Sequence, residues 1–168
     1  MVMDMQNVVS ANKSDWIGLV VSILICFAVA GLGSLATMPE IPNWYQTVKK
    51  PAWTPPNWLF GPVWTALYLA MAVAAWLVWK RAGWESNSIA LWLFVIQLAL
   101  NLAWSFIFFK FHNPAWALVD IVFLWLAILA TAVTFATVSK AAALLLVPYL
   151  IWVTYAASLN FAIWRMND

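Results

Sequence analysis

Hydrogen-bonding side chains are scarce in this chain, and those set inside long apolar stretches recur at helical spacing. Gln97, Asn101, Trp104 and Phe108 fall at i, i+4, i+7 and i+11, which puts them on one helical face. Tyr149, Trp152, Ala156 and Asn160 repeat the arrangement, as do Trp64, Tyr68, Met71 and Ala75. Trp116, Asp120 and Phe123 form a fourth, shorter stripe. Each stripe joins broad aromatic surfaces to single polar groups, a mixture that suits an apolar pocket orienting its ligand by a few contacts. The same residues have a plainer use, because Asn and Gln in membrane helices hydrogen-bond neighbouring helices and aromatic stripes pack. Asp120 could equally reach headgroup water or pair with a basic neighbour. The only histidine, His112, and the only cysteine, Cys26, form no metal-ligand cluster and no disulfide within the chain. With no paired carboxylates and no activated thiol, ordinary hydrolytic or metal-assisted catalysis has no support.

The elements that must position these residues follow from composition. Of the 168 residues, 66% are apolar and 8% are charged, against roughly a quarter charged in a soluble domain. So few charges cannot cover a water-exposed surface. The net charge of +2 also leaves no basic footprint for nucleic acid. A helix crosses a bilayer in about 20 apolar residues, and five such spans are predicted: 16–38, 57–79, 88–109, 115–138 and 141–164. Residues 1–15 form a polar amino-terminal segment, 16–164 the five-helix transmembrane domain and 165–168 a short tail. The links Lys80–Asn87, Lys110–Pro114 and Ser139–Lys140 are short, which predicts antiparallel neighbours in an up-down bundle. Five spans put the termini on opposite sides. Lys13, Lys80, Arg81 and Lys140 on one side balance Lys49, Lys50, Lys110 and Arg165 on the other, so the positive-inside rule gives no orientation. A cleaved leader ending at Ala28-Val29-Ala30 is disfavoured, because Asp4 and Asp15 replace a basic start and the apolar run continues past it. Fourteen Trp exceed what interfacial belts require.

The first connection, Pro39 to about Pro56, is long and rich in proline and aromatic residues. Its prolines fix the backbone and can hold aromatics rigidly over a bundle mouth as a lid. An interfacial aromatic belt with Lys anchors is the other reading. Around it stand Trp44-Tyr45, Lys50-Pro51-Ala52-Trp53-Thr54-Pro55-Pro56, Gly61-Pro62-Val63-Trp64 and Leu67-Tyr68 with Met71. Further along come Gln97-Leu98-Ala99-Leu100-Asn101, Trp104, Phe108-Phe109, Trp116-Ala117-Leu118-Val119-Asp120, Pro148-Tyr149-Leu150 with Trp152, Leu159-Asn160 and Trp164-Arg165. In this order the set strongly resembles the TspO/MBR family of tryptophan-rich sensory proteins and the mitochondrial translocator protein, or peripheral benzodiazepine receptor.

The resemblance implies an all-α membrane protein, a bundle of five transmembrane helices with a pocket under the long first loop, often dimeric. It places the chain in a bacterial membrane or the mitochondrial outer membrane. It implies binding of porphyrins such as protoporphyrin, of benzodiazepine-site drugs and of sterols, with no required cofactor. Carried onto matching positions, Trp53, Asn101, Trp104, Trp116, Trp152 and Ala156 line the pocket, with contributions from Tyr68 and Asn160. Some relatives degrade protoporphyrin in light, and Trp53 and Trp152 occupy the implicated positions. Two departures stand out. The sterol motif near the last span has Phe161 where a tyrosine is needed, and such motifs are weak even when complete. Trp92 and Ile96 replace a small-residue pattern on the third span, while Ala66, Ala70 and Ala74 form a different one on the second. Three functions therefore compete: a porphyrin-binding sensor or transporter, with ligand carboxylates meeting Lys49 or Lys50; a light-dependent porphyrin-degrading enzyme; and a structural or regulatory membrane protein with incidental ligand affinity.

Overall fold

The computed structural model describes the backbone of residues 3–168 and the side chains of residues 15–168 other than 82 and 84–86. Helix α1 (Met3–Thr37) is followed by a connection holding the single turn α2 (Trp44–Thr47). A 3-10 turn (Asn57–Leu59) leads into α3 (Phe60–Ser86), and α4 (Ser88–Ser105) ends in a wider π turn (Phe106–Lys110). Then come α5 (Pro114–Val138) and α6 (Lys140–Asn167). Residues 15–37, 57–81, 88–110, 114–138 and 140–167 are each long and apolar enough to cross a bilayer. The predicted boundaries agree within three residues, because helices are the economical way to satisfy backbone groups where water is absent. The protein is an integral multi-pass membrane protein. Residues 3–14, read from sequence as a polar segment, continue α1 without a break, and the final helix runs through the predicted tail to Asn167.

Tight links are made possible by side-chain caps. Asn113 accepts from the Trp116 amide at 3.1 Å with Pro114 in the first turn, and Ser139 accepts from the Ala142 amide at 3.3 Å. The α3–α4 link turns instead at Gly83, whose φ of 65° suits a residue without Cβ.

The helices form a ring in the order α1, α3, α6, α5, α4. Short links do make α4–α5 and α5–α6 neighbours. They do not make α3 and α4 close partners, contrary to the prediction, because α1 lies between them. Two glycines give α1 that place: Gly18 lies flat under the Trp79 ring of α3, and Gly33 sits against Ser105 and Leu102 of α4. The core runs down the ring axis through Met71, Val78, Ile121, Leu124, Phe135, Leu146 and Tyr149. A second cluster, Tyr45, Val48, Phe108, Phe109, Leu159 and Ile163, joins the first connection to the bundle end. The outer faces expose Leu24, Leu35, Ile89, Leu144 and Ile151, the side chains a lipid solvent accepts.

Candidate functional site

Three of the four stripes turn inward. Gln97, Asn101 and Phe108 are buried, as are Tyr68, Met71, Tyr149 and Asn160. The fourth divides: Asp120 is buried, whereas Trp116 and Phe123 face outward on α5. Above the buried stripes, at the end of the bundle carrying the first connection, lies a cavity of about 700 Å³. That volume lies within the roughly 300–1,000 Å³ of small-molecule pockets. Its walls come from α1, α3, α4 with its π turn, and α6, and its roof from the first connection; α5 contributes nothing.

Six of the eight candidate residues line the cavity: Tyr68, Asn101, Trp104, Trp152, Ala156 and Asn160. Trp116 does not. It is 66% exposed, because α5 is screened from the cavity by α4 and α6, which pack on either side of it. Trp53 does not line the cavity either. It sits in the roof, 48% exposed, with its ring 5.7 Å from that of Tyr155 and its carbonyl accepting from the Tyr155 hydroxyl at 2.8 Å. Sequence reasoning missed Tyr45, Phe109 and Tyr155, and the whole contribution of α1, including Gly31 and Ser34. No polar stripe marks α1, so only packing reveals that face.

The amides are committed to holding helices together. Tyr68 donates to Asn101 Oδ1 at 2.5 Å, and Asn101 Nδ2 donates to the Tyr149 hydroxyl at 2.9 Å, joining α3, α4 and α6. Trp104 Nε1 donates to Asn160 Oδ1 at 3.1 Å, and Asn160 Nδ2 donates to the Pro114 carbonyl at 2.7 Å, joining α4, α6 and α5. These residues therefore cross-link helices and also form part of the cavity wall. What they present to a ligand is chiefly apolar surface, with Phe108 stacked on Trp104 at 5.1 Å. Among the described residues, Gln97 Oε1 and one oxygen of Asp120 are buried without a partner.

The roof is tied down at several points. Asn167 exchanges two hydrogen bonds with the Lys49 backbone, at 3.0 and 2.9 Å, pinning the connection to the end of α6. Lys50 turns inward over the Tyr45 ring and donates to the carbonyls of Tyr45 and Val48. Burial lowers its pKa from the usual lysine value. It is thus engaged by the roof rather than offered to a ligand carboxylate. Burial, with Tyr155 adding to it, pushes the Tyr45 phenol up to about 12, so it stays neutral. Across the mouth, Glu40 meets His112 Nε2 at 2.9 Å, and Trp44 stacks on the same imidazole at 4.5 Å. A carboxylate only accepts, so Nε2 carries the hydrogen. Among the described residues, no three His, Cys, Asp or Glu side chains are placed to hold a metal ion.

This architecture has relatives. A sequence model of the TspO/MBR family matches residues 22–165. The chain is 49% identical over 152 residues to the tryptophan-rich protein TspO of Chlorobaculum tepidum, covering 89% of this chain and 95% of that one. It is 44% identical over 138 residues to the human translocator protein, covering 81% and 82%. It is 39% identical over 153 residues to the tryptophan-rich sensory protein of Cereibacter sphaeroides, covering 91% and 93%. A family match over most of the chain, on a ring of five spanning helices closed by an aromatic roof, makes this protein a member of the TspO/MBR family.

Proposed function

We propose that the protein is a membrane receptor that binds a flat apolar ligand, foremost a porphyrin such as protoporphyrin, in the cavity beneath the first connection, and signals or transports by that binding. The observation that carries this is the lining itself. It brings the faces of Trp64, Trp104, Trp152 and Phe108 around about 700 Å³ and, among the described residues, includes no charged side chain. Burial of a broad ring system against such walls is favourable at roughly 25 cal/mol per Å² of apolar area. The reading extends to benzodiazepine-site drugs and sterols, which share an apolar body, and to a homodimer within the bilayer. The porphyrin is a ligand here and no cofactor is needed. Titration of the purified protein with protoporphyrin, read by Trp emission, should show saturable quenching at micromolar concentration, about 8 kcal/mol. Absence of saturation would end this reading.

A second reading, light-dependent oxidative breakdown of the porphyrin, draws support from one feature. Trp152 lines the cavity, and Tyr155 lies 5.7 Å from both the Trp152 and the Trp53 rings, giving a contiguous run of oxidisable side chains from cavity to roof.

A further inference from the structure

The cavity is closed above and open at the side. Its roof is held by the Asn167, Lys50, Tyr155 and Glu40–His112 contacts. Its flank between α1 and α3 is different. Gly31 and Ser34 of α1, and Gly61 and Thr65 of α3, all line the cavity and are all exposed.

The glycines measure the gap. At one end of the α1–α3 seam, a Cβ on Gly18 would fall 1.6 Å from the Trp79 ring, so the helices are in tight contact. That end is also held by Trp76 Nε1 donating to the Asp15 carbonyl at 2.8 Å and by the Lys80–Asp15 ion pair at 2.8 Å. At the cavity end, a Cβ on Gly31 or on Gly61 would meet nothing within 4 Å. Yet at the same level of α1 a Cβ on Gly33 would lie 3.3 Å from Ser105 Oγ of α4. At the cavity end α1 therefore leans on α4 while standing away from α3, and the seam widens there into a slot.

Depth decides what the slot faces. Gly31 is six residues inside the end of its span and Gly61 four residues inside the start of its own. At about 1.5 Å per residue these positions lie roughly 6–9 Å within the spans, short of the middle of an apolar layer about 30 Å thick. Such a slot opens onto acyl chains and not onto bulk water.

We infer that ligand enters and leaves the cavity sideways, through the α1–α3 slot, as a lipid-dissolved molecule whose buried portion is uncharged. This deepens the receptor reading above and rests on it. Among the described residues no lining side chain is charged, so an ionised carboxylate inside would lack a counter-charge, and the Asn101 and Asn160 amides are already engaged. A dicarboxylic porphyrin would keep its carboxylates at the slot, towards the headgroups, while a neutral ester could sit deeper.

The test uses the full chain in proteoliposomes, with protoporphyrin dimethyl ester and protoporphyrin as probes and Trp quenching followed in time. Gly31→Phe and Gly61→Phe place a ring in the slot from opposite helices, so a folding failure in one does not remove the test. Both should slow loading of the ester by about tenfold or more and slow its release as well, an effect on rates at a site that must be passed. Glu40→Gln, which loosens the roof, should alter loading less than either. Loading of both Phe variants within about twofold of the wild-type rate would overturn the slot. So would acceleration of about tenfold by Glu40→Gln, since ligand would then be passing the roof. Loss of binding in both Phe variants after overnight equilibration also counts against it, because the rings would be filling the cavity. If the wild type binds neither probe, the receptor reading itself fails and takes this inference with it. If it binds both and only the rates disagree, the receptor reading stands and the route alone is wrong.

Discussion

Replacing Asn101 by Leu removes the one side chain that accepts from Tyr68 at 2.5 Å and donates to Tyr149 at 2.9 Å. Both phenols are buried, so neither gains water in exchange. A buried hydroxyl left without its partner costs about 1–3 kcal/mol in soluble cores. In membranes the average pair coupling is nearer 0.6 kcal/mol with a ceiling of about 1.7, because separated helices in lipid also find partners. The membrane scale governs here, so two lost partners predict about 1.2 kcal/mol for Asn101→Leu and about 0.6 for Tyr68→Phe. In the double variant the Tyr68 orphan no longer exists, so it should be less destabilised than the sum of the singles by about 0.6 kcal/mol. Reversible unfolding in mixed SDS and mild detergent, followed by circular dichroism, measures all three. Leu keeps the γ-branched outline of Asn and makes the wall more apolar, so protoporphyrin affinity should change by no more than about threefold, under 1 kcal/mol. Strict additivity, or an unchanged stability accompanied by more than about a tenfold loss of affinity, refutes the reasoning. Asn101 would then grip ligand rather than hold helices.

The two tryptophans on either side of α4 and α5 separate cavity from surface. Trp104→Phe should weaken protoporphyrin binding by about 1 kcal/mol, because it frees Asn160 Oδ1 and trims the wall, whereas Trp116→Phe should leave it within about twofold. Comparable losses in the same titration would put α5 in the site after all. Gly18→Ala forces the Trp79 ring aside and should cost about 1–3 kcal/mol in the unfolding assay, while Gly31→Ala, with open space around it, should fall within about 0.5. Equal effects would contradict the uneven seam between α1 and α3. Should light-dependent loss of protoporphyrin occur, Trp152→Phe should suppress it more than it lowers dark binding, which should hold within about 1–2 kcal/mol; Trp53→Phe should act the same way through Tyr155. Illumination at matched occupancy with product analysis decides this, and wild-type rates in both variants would remove those indoles from the chemistry.

Sequence alone determined the five spans and their limits, because charge and apolar length respond to the bilayer and need no partner helix. It also determined which faces of α3, α4 and α6 turn inward: the stripes through Tyr68, Asn101 and Asn160 each concentrate costly polar groups on one side, and a membrane leaves them nowhere else to point. The loop motif and the ordered set of matches named the family. Tertiary structure alone decided the rest. Linkers that looked equally short gave close neighbours for α4–α5 and α5–α6 but not for α3–α4, because Gly18 and Gly33 allow α1 to come between them. Trp116 and Trp53 match the family pattern yet stand outside the cavity lining, since exposure depends on which helix screens which. Lys50, an available cation in the sequence, is folded back onto carbonyls of its own segment. The contribution of α1 to the cavity had no local signature, because a wall built from glycine, serine and the absence of contact is a property of how two helices diverge and not of either helix by itself.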